Sequence, residues 1–68
     1  MRSIGIVGAG GFAREVLWLL TDLGLAERVE AFFETDTIWK ARDVASRPVL
    51  PLSRFNPATM DATLAVGS

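Results

Sequence analysis

Apolar positions along this chain change their spacing twice, and each change marks a structural element. Ser3-Ile4-Gly5-Ile6-Val7 is a short, β-branched run with glycine after it, the pattern of a strand buried on both faces of a parallel sheet. From Phe12 onward the spacing becomes helical. Phe12, Val16, Leu20 and Leu23 fall at i, i+4, i+8 and i+11, while Arg14, Glu15, Thr21 and Asp22 lie elsewhere on the wheel. Gly24 supplies the left-handed terminal conformation that glycine adopts cheaply, so the helix is predicted to end at Leu23. Val29-Glu30-Ala31-Phe32-Phe33 then reads as a second strand, and a helix between two strands makes a parallel crossover the natural connection. The predicted unit is βαβ.

The second half is less regular. Residues 34–47 are polar, carry Trp39 and show no sustained period, which predicts a loop with one helical turn around Ile38 to Val44. Pro48-Val49-Leu50-Pro51 is expected to be a short extended piece at a sheet edge, because a residue before proline is pushed out of the helical region. Ser53 is expected to cap a brief turn through Arg54 and Phe55, stopped by Asn56-Pro57. Ala62-Thr63-Leu64-Ala65-Val66 reads as another buried parallel strand ending at Gly67. Such a strand lacks a following helix, so the chain is expected to be a fragment of a larger protein. The expected fold class is therefore α/β: a small Rossmann-like parallel sheet, βαβ plus a further strand, forming one domain over residues 1–68.

Composition narrows the class. A chain of 68 residues without cysteine has room for one small domain and no disulfide framework. Half of its residues are hydrophobic, enough apolar area to offset ordering entropy, so a globular domain is expected rather than a disordered segment. The net charge of −1 comes from 7 basic and 8 acidic residues spread along the chain, which leaves no electrostatic footprint for nucleic acid or anionic lipid. The apolar start is followed by Arg14-Glu15 where a cleavage site would need small residues. The run Val16 to Leu20 falls far short of the ~20 apolar residues a membrane span requires. A cytoplasmic location is the resulting expectation, and no metal site is expected.

The chemistry is carried by Gly8-Ala9-Gly10-Gly11-Phe12-Ala13. It fits G-x-G-x-x-G/A with Gly8, Gly10 and Ala13 at the set positions, and it follows a predicted strand and opens a predicted helix, the context the motif requires. Gly8 lets the chain turn off the strand, Gly10 admits a pyrophosphate to the backbone amides, and Ala13 keeps helix and strand close. The first amides of the helix and the positive end of its dipole then face an anion; the plain alternative is a tight strand-to-helix turn without a ligand. A dinucleotide reader also wants an acidic residue about 20 residues beyond the glycines to accept ribose hydroxyls. Glu34, directly after Phe32-Phe33, sits there, and Asp36 is a second candidate; both acids also read as solvated loop residues. Phe12, Phe32 and Phe33 read as core, and Trp39 as either a lid over a ligand or a plug beneath its loop.

Ile4-Gly5-Ile6-Val7-Gly8-Ala9-Gly10-Gly11-Phe12-Ala13-Arg14-Glu15-Val16 resembles the opening of the bacterial sugar acyltransferases that modify sialic acids, bacillosamine and perosamine. Phe32-Phe33-Glu34-Thr35-Asp36, Trp39, Pro48-Val49-Leu50 and Leu64-Ala65-Val66-Gly67 are similar, in the same order, to later segments of that family's amino-terminal domain. The resemblance implies a domain that binds a nucleotide-linked sugar, often a uridine diphosphate sugar, followed in the whole protein by a left-handed β-helix of hexapeptide repeats. It implies that Gly10, Gly11 and Phe12 contact diphosphate or sugar, that Glu34 and Thr35 contact ribose or base, and that Val66 lines the base pocket. The β-helix would bind acetyl-coenzyme A, supply the catalytic histidine and make the full-length protein a homotrimer. No catalytic residue and no cofactor is expected on these 68 residues themselves. The chain has no histidine, so it lacks the imidazole base that would deprotonate an attacking amine or hydroxyl. Two further readings stand beside this one. In one, the βαβ unit belongs to an NAD(P)-binding oxidoreductase or sensor in which Glu34 holds the adenosine ribose; in the other, the domain is a purely structural interaction module that tethers trimers.

Overall fold

The computed structural model describes residues 2–8 and 10–64. Strand β1 (Ser3–Val7) leads into helix α1 (Gly11–Asp22), and after one 3-10 turn the chain enters β2 (Val29–Glu34). Then follow β3 (Arg42–Val44), β4 (Arg47–Pro51), a second 3-10 turn at Leu52–Arg54 and β5 (Met60–Leu64). The five strands form one sheet in the order β3-β4-β2-β1-β5. β1 is parallel to both β2 and β5, and β2 is parallel to β4. The predicted βαβ unit is present, with β1 over the residues expected. The expectation of a wholly parallel sheet is corrected, because β3 runs antiparallel to β4.

Residues 35–41 form the expected loop, but that hairpin takes the place of its last part and of the helical turn expected around Ile38 to Val44. Ala45 and Ser46 connect the two strands with φ of 50° and 67°, the left-handed pair that a two-residue hairpin of matching twist requires. Pairing with β3 also moves β4 from the expected sheet edge to an interior position. Pro48 stands ahead of Val49, the first residue paired with β2, and Pro51 is the last. The missing proline donors thus fall at the ends of that ladder, where they are tolerated.

The helix ends as predicted, with Leu23 as its cap and Gly24 at φ +76°. Its buried stripe is rotated from the expected one. Ala13, Val16 and Leu17 are buried with Leu20 packed beside them, whereas Phe12 and Leu23 are exposed. Positions i, i+3, i+4 and i+7 thus face the sheet, and the small Ala13 side chain, fully buried, lets the first turn approach β1. On this face the core comprises these residues with Ile4, Ile6, Val29, Phe32, Val44 and Val49. The opposite face holds Ala31, Phe33 and Met60, flanked by Leu50 and Phe55. Phe55 comes from the segment that crosses from β4 to β5, and its ring meets Phe33 edge to face at 5.4 Å.

One irregularity makes the two faces compatible. Ile4 pairs with Val29 but Gly5 pairs with Ala31, so β2 bulges at Glu30. The extra residue keeps Glu30 exposed while Val29 and Ala31 face opposite layers. β5 begins at Met60, two residues ahead of the expected start, and only Met60 is buried in it. The expectation of a buried strand is corrected: among the described residues β5 stands at the end of the sheet, and of its side chains only Met60 is taken into either core layer. Its expected continuation through Ala65 and Val66 lies outside the described residues. Ser53 is not a cap, since the 3-10 turn is entered from Pro51 without a side-chain cap.

Candidate functional site

Parallel pairing brings the glycine turn and the acidic turn to one end of the sheet. Val7 is opposite Phe33 at the carboxyl ends of β1 and β2, and the next residues, Gly8 and Glu34, continue from that pair. Gly8 donates its N–H to the Phe33 carbonyl at 2.6 Å and has φ +117°, a conformation that excludes a Cβ without strain. Here the chain leaves the sheet and turns toward the helix.

Gly10 caps α1 with φ −80° and ψ −167°, extended backbone open to any residue. The reason for glycine is therefore not its torsion. A Cβ built there meets nothing within 4 Å, so the space above it is open. The helix begins with no side-chain cap and no acidic residue in its first turn. Ala13 N–H is taken by the Gly10 carbonyl at 3.0 Å. Gly11 is the first helical residue and Phe12, on its exposed side, the second. This start carries the partial positive charge of a 12-residue helix with no side-chain cap among the described residues.

Glu34 is not a free loop acid. Arg42 of β3 donates from Nη1 to Oε1 at 2.8 Å and from Nη2 to Oε2 at 3.0 Å. This fork holds the Glu34 carboxyl below the ordinary carboxylate range, its hydrogen bonds outweighing the opposing cost of desolvation. Arg42 Nη1 also reaches the Lys40 carbonyl at 3.3 Å. Arg42 was not singled out in the sequence; the signal available was only a cation eight residues after the acid, and the hairpin that swings it back carries no Asn-Gly signature. Thr35 is exposed, and its carbonyl accepts from Ile38 and Trp39. Asp36 accepts the Ser53 N–H at 3.0 Å, which lowers its pKa and ties the acidic turn to the second 3-10 turn. Val66 lies outside the described residues.

Trp39 is the plug and not the lid. Its indole N–H donates to the Val49 carbonyl at 2.7 Å, and its ring packs against the α1-side core. Phe32 and Phe33 are core, as expected, whereas Phe12 is 45% exposed beside the glycines. A concavity of about 310 Å³ lies at the opposite, amino end of the strands, lined by Arg2, Ser3, Glu27, Arg28 and Glu30. Its guanidiniums are already engaged. Arg2 donates to the carbonyls of Pro57, Ala58 and Met60 and to Asp61, while Arg28 donates to the Arg2 carbonyl and pairs with Asp61. These contacts fasten the start of β1 to β5.

No family model, curated protein or solved structure matches this chain. Among the described residues no helix is long and apolar enough to cross a membrane.

Proposed function

We propose that this chain is a small Rossmann-like domain whose ligand is a nucleotide held at the carboxyl end of β1. The supporting observation is the Gly8–Ala13 turn at the carboxyl end of a strand flanked by β2 on one side and β5 on the other. In open α/β sheets ligands gather where the connections part in this way, and here an uncapped helix start stands at that point.

More particularly, we read it as the substrate-binding domain of a bacterial sugar N- or O-acyltransferase of the sialic acid, bacillosamine and perosamine type, with a uridine diphosphate sugar as ligand. Gly8, Gly10, Gly11, Phe12 and Ala13 form the diphosphate side of the site, and Glu34 and Thr35 the ribose side. Its contribution is orientation of the substrate. On the resemblance, acyl transfer from acetyl-coenzyme A falls to a further domain of a homotrimeric protein; these 68 residues hold no histidine to act as its base.

Calorimetric titration with a uridine diphosphate sugar and with NAD in one buffer tests the reading. Preferential uridine diphosphate sugar binding, weakened at least about tenfold by Gly10→Ala, is the expected result. Tighter NAD binding overturns the acyltransferase assignment in favour of a dinucleotide-binding domain. Full affinity in Gly10→Ala overturns the phosphate role of the turn.

A further inference from the structure

We infer that the outer edge of β5 is a surface for a second copy of this chain: two copies pair β5 with β5, antiparallel, about a two-fold axis at Thr63, and make one continuous sheet. The inference is independent of the ligand assigned above.

The two edges of the sheet differ. β3 is three residues long and carries Arg42 and Asp43, and a short, charged edge of this kind resists a further strand. β5 is five residues long and follows β1 without a shift of register. Lysine, proline and a bulge, common means of blunting an edge, are missing from it. Its one charge, Asp61, is held by Arg2 at 2.8 Å and Arg28 at 3.6 Å.

Only part of this edge is open. The Ser3 N–H bonds the Thr59 carbonyl, so in the parallel ladder Thr59, Asp61 and Thr63 turn their backbone groups toward β1, and Met60, Ala62 and Leu64 turn theirs outward. Met60 is already closed. Its N–H goes to the Asn56 carbonyl at 3.0 Å, and its own carbonyl accepts from Arg2 at 2.8 Å. Among the described residues of β5, the outward N–H and C=O groups left are those of Ala62 and Leu64.

These groups select one register. Centred on Thr63, an antiparallel pair sets Ala62 of each copy opposite Leu64 of the other, and each outward donor meets an outward acceptor. A centre at Ala62 would need the spent groups of Met60, and a centre at Asp61 would set two carboxylates face to face. The Thr63 register instead keeps those carboxylates roughly 14 Å apart along the strands. It also brings Thr63 against its own copy, a favourable cross-strand match. Leu64, 66% exposed in the single chain, then lies against Ala62 of the other copy, on the sheet face that holds Met60. The open stretch is its own complement, which is what an isologous contact requires.

Sedimentation equilibrium on the 68-residue chain, from about 10 μM to about 1 mM, tests this; the parent should pass from monomer to dimer within that range. Ala62→Pro removes an N–H that the single chain does not use, a change edge strands tolerate. It should weaken dimerisation about tenfold or more, with melting curves confirming that the fold is kept. Thr63→Lys and Thr63→Glu each set like charges across the axis and should each weaken it about threefold or more, whereas an equimolar mixture of the two should dimerise at least as tightly as the parent. The charge pair decides the matter if Ala62→Pro fails to fold. Thr63→Cys should form a disulfide between copies on mild oxidation, and Glu15→Cys, on the exposed side of α1, should not. A parent that stays monomeric, or that assembles beyond a dimer, overturns the inference. So does undiminished association in a folded Ala62→Pro or in both Thr63 charge variants, a mixture of those two no tighter than either alone, or a Thr63→Cys chain that does not cross-link.

Discussion

Adding one methyl group at Gly5 should destabilise the fold, whereas the same group at Gly10 should leave its stability nearly unchanged. At Gly5 the new Cβ would stand 2.7 Å from Phe33 Cε2, 3.0 Å from Phe33 Cδ2 and 3.1 Å from Phe55 Cε2. Phe33 is fully buried, and its ring is held edge to face against Phe55, so neither aromatic can swing aside as the end of a flexible side chain would. Overpacking of this kind costs about 1–3 kcal/mol. Against it stands the smaller unfolded-state entropy of alanine, about 0.4–1 kcal/mol. The net expectation is a loss of about 1–2 kcal/mol, which for a domain of this size lowers Tm by about 4–16 °C. At Gly10 the added Cβ touches nothing and the backbone is already in an ordinary region. The lost capping preference and the gained entropy are each of order ~1 kcal/mol and oppose one another, so Gly10→Ala should melt close to the parent. Thermal denaturation followed by circular dichroism on the parent and both variants makes the comparison. Gly5→Ala/Phe33→Leu adds a control in which the obstructing ring edge is withdrawn, and it should be less destabilised than the sum of its two changes. If Gly5→Ala melts within a degree or two of the parent, the close seating of Phe33 over β1 is wrong.

Replacing Ser46 by glycine should raise Tm by about 2–8 °C, because relief of the left-handed strain at φ 67° exceeds the entropy cost of glycine by about 0.5–1 kcal/mol. Arg42→Met should lower Tm near neutral pH, and the deficit should shrink as the pH falls. The Glu34 carboxyl titrates below its ordinary 4.5 in the folded chain, so its stabilising contribution is present above that value and is lost as the pH drops through the lowered one. Asp36 titrates in both proteins and cancels in the difference. Trp39→Phe removes the hydrogen bond to Val49 and should cost about 1 kcal/mol. Its emission spectrum should shift to the red and become readily quenched by iodide, since the remaining Trp18 is 66% exposed.

What was legible in the chain alone is what depends on neighbours close in sequence. The β-branched run of β1, the positive-φ glycines at 8 and 24, the return into β2 and the small Ala13 between helix and strand all follow from local sterics and spacing, and they were sufficient to indicate a βαβ unit with a glycine turn between β1 and the helix. The antiparallel β3–β4 hairpin was not legible, because Arg42-Asp43-Val44 has no alternating pattern and Ala45-Ser46 is not a characteristic turn pair; the strand exists because β4 has an open side to pair with. Which stripe of α1 is buried also depended on the sheet beneath it, since Phe12 and Leu23 are as apolar as Leu17 and differ only in what they face. The exposure of β5 and the capture of Glu34 by Arg42 belong to the same class. Spacing along a chain records which backbone conformations are cheap, whereas burial and pairing are settled by which surfaces meet once those conformations are assembled.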